Sequence, residues 1–575
     1  MSQLQAKLGK SNDVSNLLFL ALENLGYSNE RIIRYSFLIE EALLKWKEYG
    51  LSDNELTFKK TERKNEIVFD WVLVGERCDP FHIDTNELEL NPIERMDDLL
   101  QSGVGTELQD KYRNGKNNIT LTLPIGAPEK KLFNRNLLSL AIPIGFQALL
   151  VSLANFIGSF LLGFVDANAM SAVSQLSQFI QLHSYLISAC EVAATIMISK
   201  AWGVRNRNAI SFIVGAGLKF ALFCSMLFFL LSFLLPDKLM SFYANIPEIA
   251  VHGIVYLKII SFSFFVSALY RISYCLLRAT GKAKKCLLYS VVGCVVNILL
   301  SVLLVFGIGG LPAMGAKGAA IATLASGLVQ LVLVVVEIMK SRGLSVTLRN
   351  DHVVMKDYFK SFYSVAVWYL VVGLVENVIA VAFGQMQADV IAANAFVSNI
   401  VCLFVNLSIG FGSGCEILMG NCLGKGKRNE AWDMSKMMLS TGMKFSILSA
   451  VALFLLGVAV SFLPLDLNEG ARHYFYIILV VSSINLFFDS MNTVFNHGML
   501  FPGGDTKGVM LIDFVVRWGF FVPIALLGTY IISVPVIAMI VILKLNEVVP
   551  HAFLYKRYKR AIWLKECAKV TSSAK

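Results

Sequence analysis

Charged residues are scarce over most of this 575-residue chain, which is 56% hydrophobic and 16% charged. A soluble domain of average composition has about 25% charged residues. The scarcity is confined to residues 126–575, where 56 of 450 residues are charged, against 36 of 125 in residues 1–125. The composition excludes a single soluble globular protein. It predicts a soluble acidic domain, residues 1–125, followed by a long membrane region.

Paired cysteine motifs and an apolar stretch near residue 1 are also missing from the sequence. The ten cysteines form no CxxC pair and have no histidine at metal-ligand spacing, so we expect neither disulfides nor a structural zinc, and no metal site. No apolar stretch precedes residue 136, so we expect no cleavable signal peptide. The basic surplus of residues 126–575 falls in the loops between apolar runs, which argues against nucleic acid as a partner.

Twelve apolar runs are long enough to cross a bilayer, which needs about 20 residues per helix. They lie at about 136–165, 170–199, 209–235, 249–277, 286–308, 316–339, 358–384, 390–420, 434–463, 474–500, 508–530 and 533–555. With residue 1 inside, the cytoplasmic loops hold 15 Lys and Arg residues and the outer loops three. The positive-inside rule then places both termini in the cytoplasm of a multi-pass plasma-membrane protein. The basic tail 561–575 agrees with that orientation; it is either a segment that binds anionic membrane lipids as partners or, as the plainer interpretation, a solvated topology anchor.

The runs form two similar halves of six. GFVDANAMSAVSQ, which begins at Gly163, matches GQMQADVIAANAF, which begins at Gly384, at an offset of 221 residues. The same offset pairs Gly203 with Gly424, where each second run ends. We therefore predict two six-helix lobes, 126–345 and 346–560, related by pseudo-two-fold symmetry about an axis normal to the membrane. This architecture is typical of transporters.

Four stretches carry a family resemblance. They are AIPIGFQALLVSLANFIGSFLLG in span 1, ALYRISYCLLRATGKAK in span 4, GAKGAAIAT in span 6, and GGDTK with the following Asp, Arg-Trp and Pro in spans 10 and 11. Residues 130–560 resemble the multidrug and toxic compound extrusion (MATE) transporters. The resemblance implies secondary transport, not enzymatic activity, with H⁺ or Na⁺ entry coupled to export of organic, often cationic, substrates. It implies no cofactor beyond the coupling ion.

The sequence departs from that family at two positions. Many members carry a cation-binding Asp in span 1, where this chain has Gly158. Many also carry an Arg before the glycine pair of span 10, where this chain has Phe501. The position in the first half that corresponds to Phe501 does hold an Arg, Arg278. We therefore expect the ion site to lie in the second half.

Ionisable residues inside the spans are the candidate site, because a charge at mid-bilayer costs roughly 2.5–3.5 kcal/mol on insertion scales. Glu376 in span 7 and Asp489 in span 10 are the leading candidates for ion coupling. The resemblance supports both, since some members place coupling acids close to these positions. Glu191 in span 2 and Glu416 in span 8 occupy equivalent helices, and Asn155 is the repeat partner of Glu376.

Each of these residues has a plainer interpretation, as a buried polar group satisfied across the bundle. His183 and Arg271 complete the polar set of the first half. Asp513 and Arg517 are spaced i, i+4 in span 11, so we expect them to pair with each other as a structural unit.

Residues 1–125 read as an α/β layer, with helices at 13–25 and 29–49 and strands at 54–60, 65–74 and 117–123. The order of these elements resembles the histidine-kinase-type (GHKL) ATPase fold. In that resemblance Glu41, Gly75, Gly103 and Gly105 fit nucleotide-binding positions. Residues 102–112 correspond to the glycine-rich lid over the nucleotide and to the start of the helix that follows it. The metal-binding Asn is replaced by Lys45 and the adenine-reading Asp by Leu73. We therefore expect a regulatory domain, with a cytoplasmic ligand or protein as its partner, in preference to an ATPase.

Three functions remain open from the sequence. The first is a cation-coupled exporter of small organic compounds that works by alternating access of the two lobes. The second is a flippase for lipids or lipid-linked precursors. The third is a membrane sensor with a transporter-like shell, although a sensor has no need of four acids within its lobes.

Overall fold

The computed structural model describes residues 2–7, 18, 39–40, 43, 55–62, 66–74, 107–113, 116–124, 128–243, 247–308, 312–341, 346–347, 349, 351–426, 428–462, 469–531 and 534–564. The chain divides into two compact units, Met1–Asn136 and Leu137–Lys575.

The first unit contains a five-stranded antiparallel sheet with the strand order β1-β2-β3-β5-β4. Its strands are β1 Ser2–Lys7, β2 Glu55–Glu62, β3 Glu66–Val74, β4 Glu107–Arg113 and β5 Lys116–Pro124. Phe69, Trp71 and Leu73 of β3 and Ile119 of β5 are fully buried, which is the alternation expected of a sheet with one face on a core. Leu73, at the expected adenine position, is therefore a core residue.

The helix start expected within 102–112 is wrong, because residues 107–113 form β4. Tyr112 pairs with Asn117 and Arg113 with Lys116, so β4 and β5 are joined through residues 114 and 115. These are Asn-Gly in the sequence, the dipeptide most strongly associated with tight hairpins. The proposed nucleotide-binding residues Glu41, Gly75, Gly103 and Gly105 lie outside the described residues, as does Lys45. Within residues 1–125, helical conformation is described only at Leu18, Ile39, Glu40 and Leu43.

The twelve predicted spans are confirmed: among the described residues, twelve helical segments are long and apolar enough to cross a membrane. The first half has Pro128–Gly163, Ala167–Gly203, Arg207–Leu234, Pro247–Ala279, Ala283–Phe306 and Gly315–Lys340, with a short helix, Pro236–Tyr243, before span 4. Spans 7 to 10 are His352–Gly384, Ala388–Gly424, Arg428–Ser461 and Glu469–Phe495.

Spans 10, 11 and 12 are irregular. Span 10 continues into a π-helical turn, Asn496–Leu500, and span 11 consists of Thr506–Asp513, a π-helical segment Phe514–Phe521, and Val522–Tyr530. Span 12 is broken into Val536–Lys544 and Val548–Lys559. π-Helical turns are frequent at functional sites, and a break within a span is tolerated where it lies inside protein or lines a cavity.

Each half has its own apolar core. One cluster of buried side chains draws on spans 1 to 6, around Phe179, Leu257 and Ala320. Another draws on spans 7, 8, 9, 10, 11 and 12, around Val397, Phe475 and Ile540. We call the two groups of helices lobe 1 and lobe 2.

Spans 2 and 8 cross where both helices end. A Cβ added to Gly203 would lie 2.3 Å from the carbonyl oxygen of Asn421, and one added to Gly424 would lie 2.2 Å from that of Lys200. Only glycine permits so close an approach of two backbones. The two lobes are thus held together at this end, which the charge pattern predicts to be cytoplasmic.

Candidate functional site

Glu376 lies on the face of span 7 that looks toward the other lobe. Gly373, one turn earlier, is so close to Tyr185 of span 2 that an added Cβ would stand 2.3 Å from its ring, and residues at i and i+3 share a helix face. The Asn546 side-chain amide donates a 3.2 Å hydrogen bond to Glu376 Oε1. Glu376 is nevertheless exposed. Its carboxylate is therefore bound by a residue of lobe 2 without being enclosed by that lobe.

Asp489 of span 10 stands near Glu376. The charged groups that act most strongly on it are Glu547, Arg517 and Glu376. It is half-buried, and within the described part of the chain its carboxylate has no hydrogen-bond partner. The two leading candidates from the sequence thus belong to one electrostatic cluster, and neither is neutralised by a salt bridge within 4 Å to a described residue.

Asp513 and Arg517 pair as expected, with Arg517 Nε donating to Asp513 Oδ1 at 3.1 Å. Arg517 also binds a second acid: its Nη2 lies 2.6 Å from Glu547 Oε1. Arg517 sits in the π-helical segment of span 11, and the indole N–H of Trp368 binds the other oxygen of Asp513. The unit is thus a buried triad of one guanidinium and two carboxylates, larger than the predicted pair.

The broken part of span 12 supplies the residues that the sequence reading missed. Asn492 of span 10 donates to both the backbone oxygen and Oε2 of Glu547, each at 2.9 Å. Asn485 accepts from the Glu547 backbone N–H at 3.2 Å and donates to Asn546 Oδ1 at 3.3 Å. Side chains of span 10 thus bond to the backbone freed by the break. The signal was available: Asn-Glu is an adjacent polar pair within an apolar run.

The cluster around Glu376 therefore holds more acids than bases. Four carboxylates, Glu376, Asp489, Asp513 and Glu547, accompany two strongly basic side chains, Arg517 and Lys544. When all six are ionised, the cluster carries two more negative than positive charges. Excess negative charge inside a bilayer needs a compensating cation, and carboxylate and amide oxygens suit either protons or a hard cation such as Na⁺.

Glu191, the candidate acid of lobe 1, is already neutralised. Glu191 accepts a 2.6 Å hydrogen bond from Arg271 Nε, and Arg271 Nη2 donates to Ser188 at 2.8 Å. His183 is buried and shares a 3.0 Å hydrogen bond with Ser225. Glu191, Arg271 and His183 are thus polar groups satisfied within lobe 1, in agreement with their plainer interpretation.

Glu416 lies apart from the cluster of Glu376. Its Oε2 is 3.0 Å from Nδ1 of His497, which belongs to the π-helical turn after span 10. Its Oε1 is buried without a hydrogen-bond partner among the described residues. Glu416 and Glu191 therefore have separate partners, although they occupy equivalent helices.

Two further sequence-predicted positions are accounted for. Asn155 lies in the helix of span 1, but its side chain is outside the described residues. Phe501 is fully buried, with its ring centroid 5.3 Å from that of Trp368, so an aromatic contact occupies the position expected for an Arg. Its counterpart Arg278 donates to Gln147 at 2.7 Å. Among the described residues no group of three His, Cys, Asp or Glu side chains could hold a metal ion.

Comparisons with known proteins agree with this architecture. The MatE family model matches residues 143–303 and 364–516, which is more than half of the chain. The transporter YisQ of Bacillus subtilis is 20% identical over 455 residues, which are 76% of this chain and 96% of YisQ. The multidrug resistance protein PmpM of Pseudomonas aeruginosa is 21% identical over 68% of this chain and 83% of PmpM. The probable multidrug resistance protein NorM of Thermotoga maritima is 29% identical over 33% of this chain and 41% of NorM.

Solved structures show the same fold. A mutant of the Vibrio cholerae MATE transporter VcmN superposes with a TM-score of 0.69 at 15% identity, over 76% of this chain and 99% of that chain. A MOP-superfamily transporter from Pyrococcus furiosus superposes with a TM-score of 0.67 at 15% identity, over 75% of this chain and 96% of that chain.

Proposed function

Because this chain belongs to the MatE family of multidrug-type efflux transporters, we propose that it exchanges H⁺ or Na⁺ for organic, cationic or amphipathic compounds. Members of this family are secondary transporters, so the chain is a transporter and not an enzyme, as the sequence predicts. The coupling ion and the substrate class are the new parts of the proposal.

One observation carries the ion-coupling role: lobe 2 holds two carboxylates, Glu376 and Asp489, that no base neutralises by a salt bridge among the described residues. The other two acids, Asp513 and Glu547, share Arg517 and are clamped by hydrogen bonds. Glu376 and Asp489 are therefore the groups that can bind and release an ion. The described part of lobe 1 has no comparable excess, because Glu191 is paired with Arg271 and Glu337 with Lys282 and Lys285.

The exchange follows from charge compensation. While an ion occupies the cluster, the excess negative charge is reduced, so a cationic substrate gains little electrostatic binding energy at the cluster. When the ion leaves, the carboxylates are charged and exposed through Glu376 to the space between the lobes, where a cation can replace the lost charge. Ion and substrate thus compete for the same negative charge, which is the requirement for antiport.

Alternating access requires that the lobes separate at the end where they are now in contact. The crossing of spans 2 and 8 at Gly203 and Gly424 is the closed end of this conformation. We assign it to the cytoplasmic side, with both termini in the cytoplasm and the chain in the plasma membrane. The present conformation is then the outward-facing one, in which Glu376 is accessible.

We further propose that residues 1–125 form a cytoplasmic regulatory domain. They belong to a compact unit separate from the lobes, and Leu73, which stands where the resemblance to GHKL ATPases requires an adenine-binding Asp, is fully buried in the sheet. This domain would bind a cytoplasmic ligand or protein that changes the transport rate.

The test uses the purified full-length chain in liposomes loaded with ethidium, a fluorescent organic cation. Its efflux is followed under an imposed inward Na⁺ gradient, an inward H⁺ gradient, or neither. We expect one gradient to accelerate efflux, and an ionophore that collapses that gradient to abolish the acceleration. A response to neither gradient would contradict coupling and favour the lipid flippase or the membrane sensor.

A further inference from the structure

We infer that the ammonium group of Lys544 is a built-in counter-cation of Glu376, which competes with the coupling ion and weakens ion binding at this carboxylate. This inference rests on the proposed function and deepens it. It assigns a role in setting the affinity for the coupling ion to a residue of span 12 that contacts neither triad acid.

Lys544 and Glu376 lie at the same depth. Lys544 is the last residue of the first half of span 12, eight residues after Val536, and Glu376 is eight residues before Gly384, the last residue of span 7. At 1.5 Å per residue both stand about 12 Å from the same end of the bundle. A charged group at this depth needs a partner of opposite charge.

The direct contacts of the Lys544 ammonium are neutral. It donates to Ser398 Oγ at 3.4 Å and lies 5.1 Å from the ring centroid of Phe383. A long hydrogen bond and a cation–π contact do not neutralise its charge. The acidic side chain that acts on it is Glu376.

The break in span 12 explains how two side chains of this segment, those of Lys544 and Asn546, can both act on the Glu376 carboxylate. Asn546, two residues after Lys544, donates directly to Glu376 at 3.2 Å. In a continuous helix, residues at i and i+2 do not face the same neighbour. Because the helix ends at Lys544 and resumes at Val548, the amide and the ammonium can both be directed at Glu376.

The competition follows from the charges around Glu376. The titratable and charged groups that face it are Tyr185 of span 2, Asp489 of span 10, Arg517 of span 11, and Lys544 and Glu547 of span 12. Arg517 is committed to Asp513 and Glu547 by hydrogen bonds, whereas Lys544 has no salt bridge within 4 Å among the described residues. An ion that binds Glu376 must therefore act against the Lys544 charge.

The experiment measures ion binding directly, without a substrate. Binding of radioactive Na⁺ to the purified full-length chain is measured by equilibrium dialysis. A parallel titration from alkaline to acidic pH in Na⁺-free buffer follows tryptophan fluorescence, to which Trp368 and Trp518 of lobe 2 contribute. The variants are Lys544→Gln and Lys544→Met, which remove the charge, Lys544→Arg, which keeps it, and Ser398→Ala, which removes only the hydrogen bond.

Removal of the charge should tighten Na⁺ binding roughly tenfold or, where the proton is the ion, move the pH midpoint upward by about one unit. Lys544→Arg and Ser398→Ala should behave as the original chain. If both charge-removing variants titrate as the original chain does, while Glu376→Gln abolishes the response, the counter-cation role is wrong and ion coupling stands. If the original chain responds to neither ion, or the response survives Glu376→Gln/Asp489→Asn, the proposed function fails instead.

Discussion

Gly203 and Gly424 contact each other's helix in a reciprocal way. A Cβ on Gly203 would meet the backbone oxygen of Asn421, and a Cβ on Gly424 would meet that of Lys200. The two contacts are related by the internal repeat. Its offset of 221 residues pairs Gly203 with Gly424 and Lys200 with Asn421, so each contact is the repeat counterpart of the other. The pseudo-two-fold axis that relates the lobes therefore passes through this crossing.

Gly203→Ala and Gly424→Ala should each weaken the closed end. The added methyl group would stand 2.2–2.3 Å from a carbonyl oxygen, so the helices must move apart, at a cost of about 1–3 kcal/mol. We expect faster maleimide labelling of Cys422, which is buried beside the crossing, as quantified by mass spectrometry. Gly384→Ala is the matched control, because a Cβ there has nothing within 4 Å. Unchanged labelling in both variants would show that this contact does not hold the end closed.

The sequence marks the two ends that meet here, because its repeat pairs Gly203 with Gly424, but the contact between them is seen only in the structure. Hydropathy likewise locates all twelve spans, since every helix must bury about 20 apolar residues in the bilayer. The ends of spans are less well predicted. Span 1 begins at Pro128, eight residues before its apolar run, because a helix continues into the polar region as long as its backbone bonds are satisfied.

Arg517→Gln should destabilise the protein more than Asp513→Asn. Loss of Arg517 leaves two buried carboxylates without their cation, which costs about 3–5 kcal/mol. Asp513→Asn leaves a one-to-one pair of Arg517 with Glu547 and removes one charged hydrogen bond, worth about 1.5–3 kcal/mol. Thermal unfolding in detergent checks the order, and equal losses would show that Glu547 does not share the guanidinium.

The triad could not be read fully from the sequence. The i, i+4 spacing of Asp513 and Arg517 predicts their contact, because it depends only on helix geometry. Glu547 lies 30 residues further on, at a break that a hydropathy average over span 12 conceals. The π-helical segments at Asn496–Leu500 and Phe514–Phe521 are also invisible to such an average.

Glu416→Gln should preserve ion-coupled transport. The glutamine keeps the shape of the side chain and can still bond His497, which is 3.0 Å away, and Glu416 lies outside the cluster of Glu376. We expect ethidium efflux under the effective gradient to remain within about twofold of the original rate. A complete loss of gradient dependence, with normal folding, would move the coupling site to span 8.

Deletion of residues 1–125 should leave a folded, membrane-inserted transporter. The helix of span 1 begins only at Pro128, so every span is retained. Gradient-driven efflux should persist with a changed rate, because the domain regulates transport and does not power it. Calorimetry with Mg²⁺ and ATP on the full chain is the companion measurement: micromolar binding accompanied by hydrolysis would contradict a purely regulatory role.

The central claim is that Glu376 and Asp489 hold the coupling ion. The most direct measurement is ethidium efflux from liposomes that contain Glu376→Gln/Asp489→Asn, under the gradient that drives the original chain. The amides keep the size and the hydrogen bonding of the acids but fix a neutral state, and Glu416→Gln is the matched control. We predict that the double variant inserts and unfolds normally yet loses all gradient-driven efflux. Full gradient-driven efflux in the double variant would contradict the claim and point to Glu191 and Glu416.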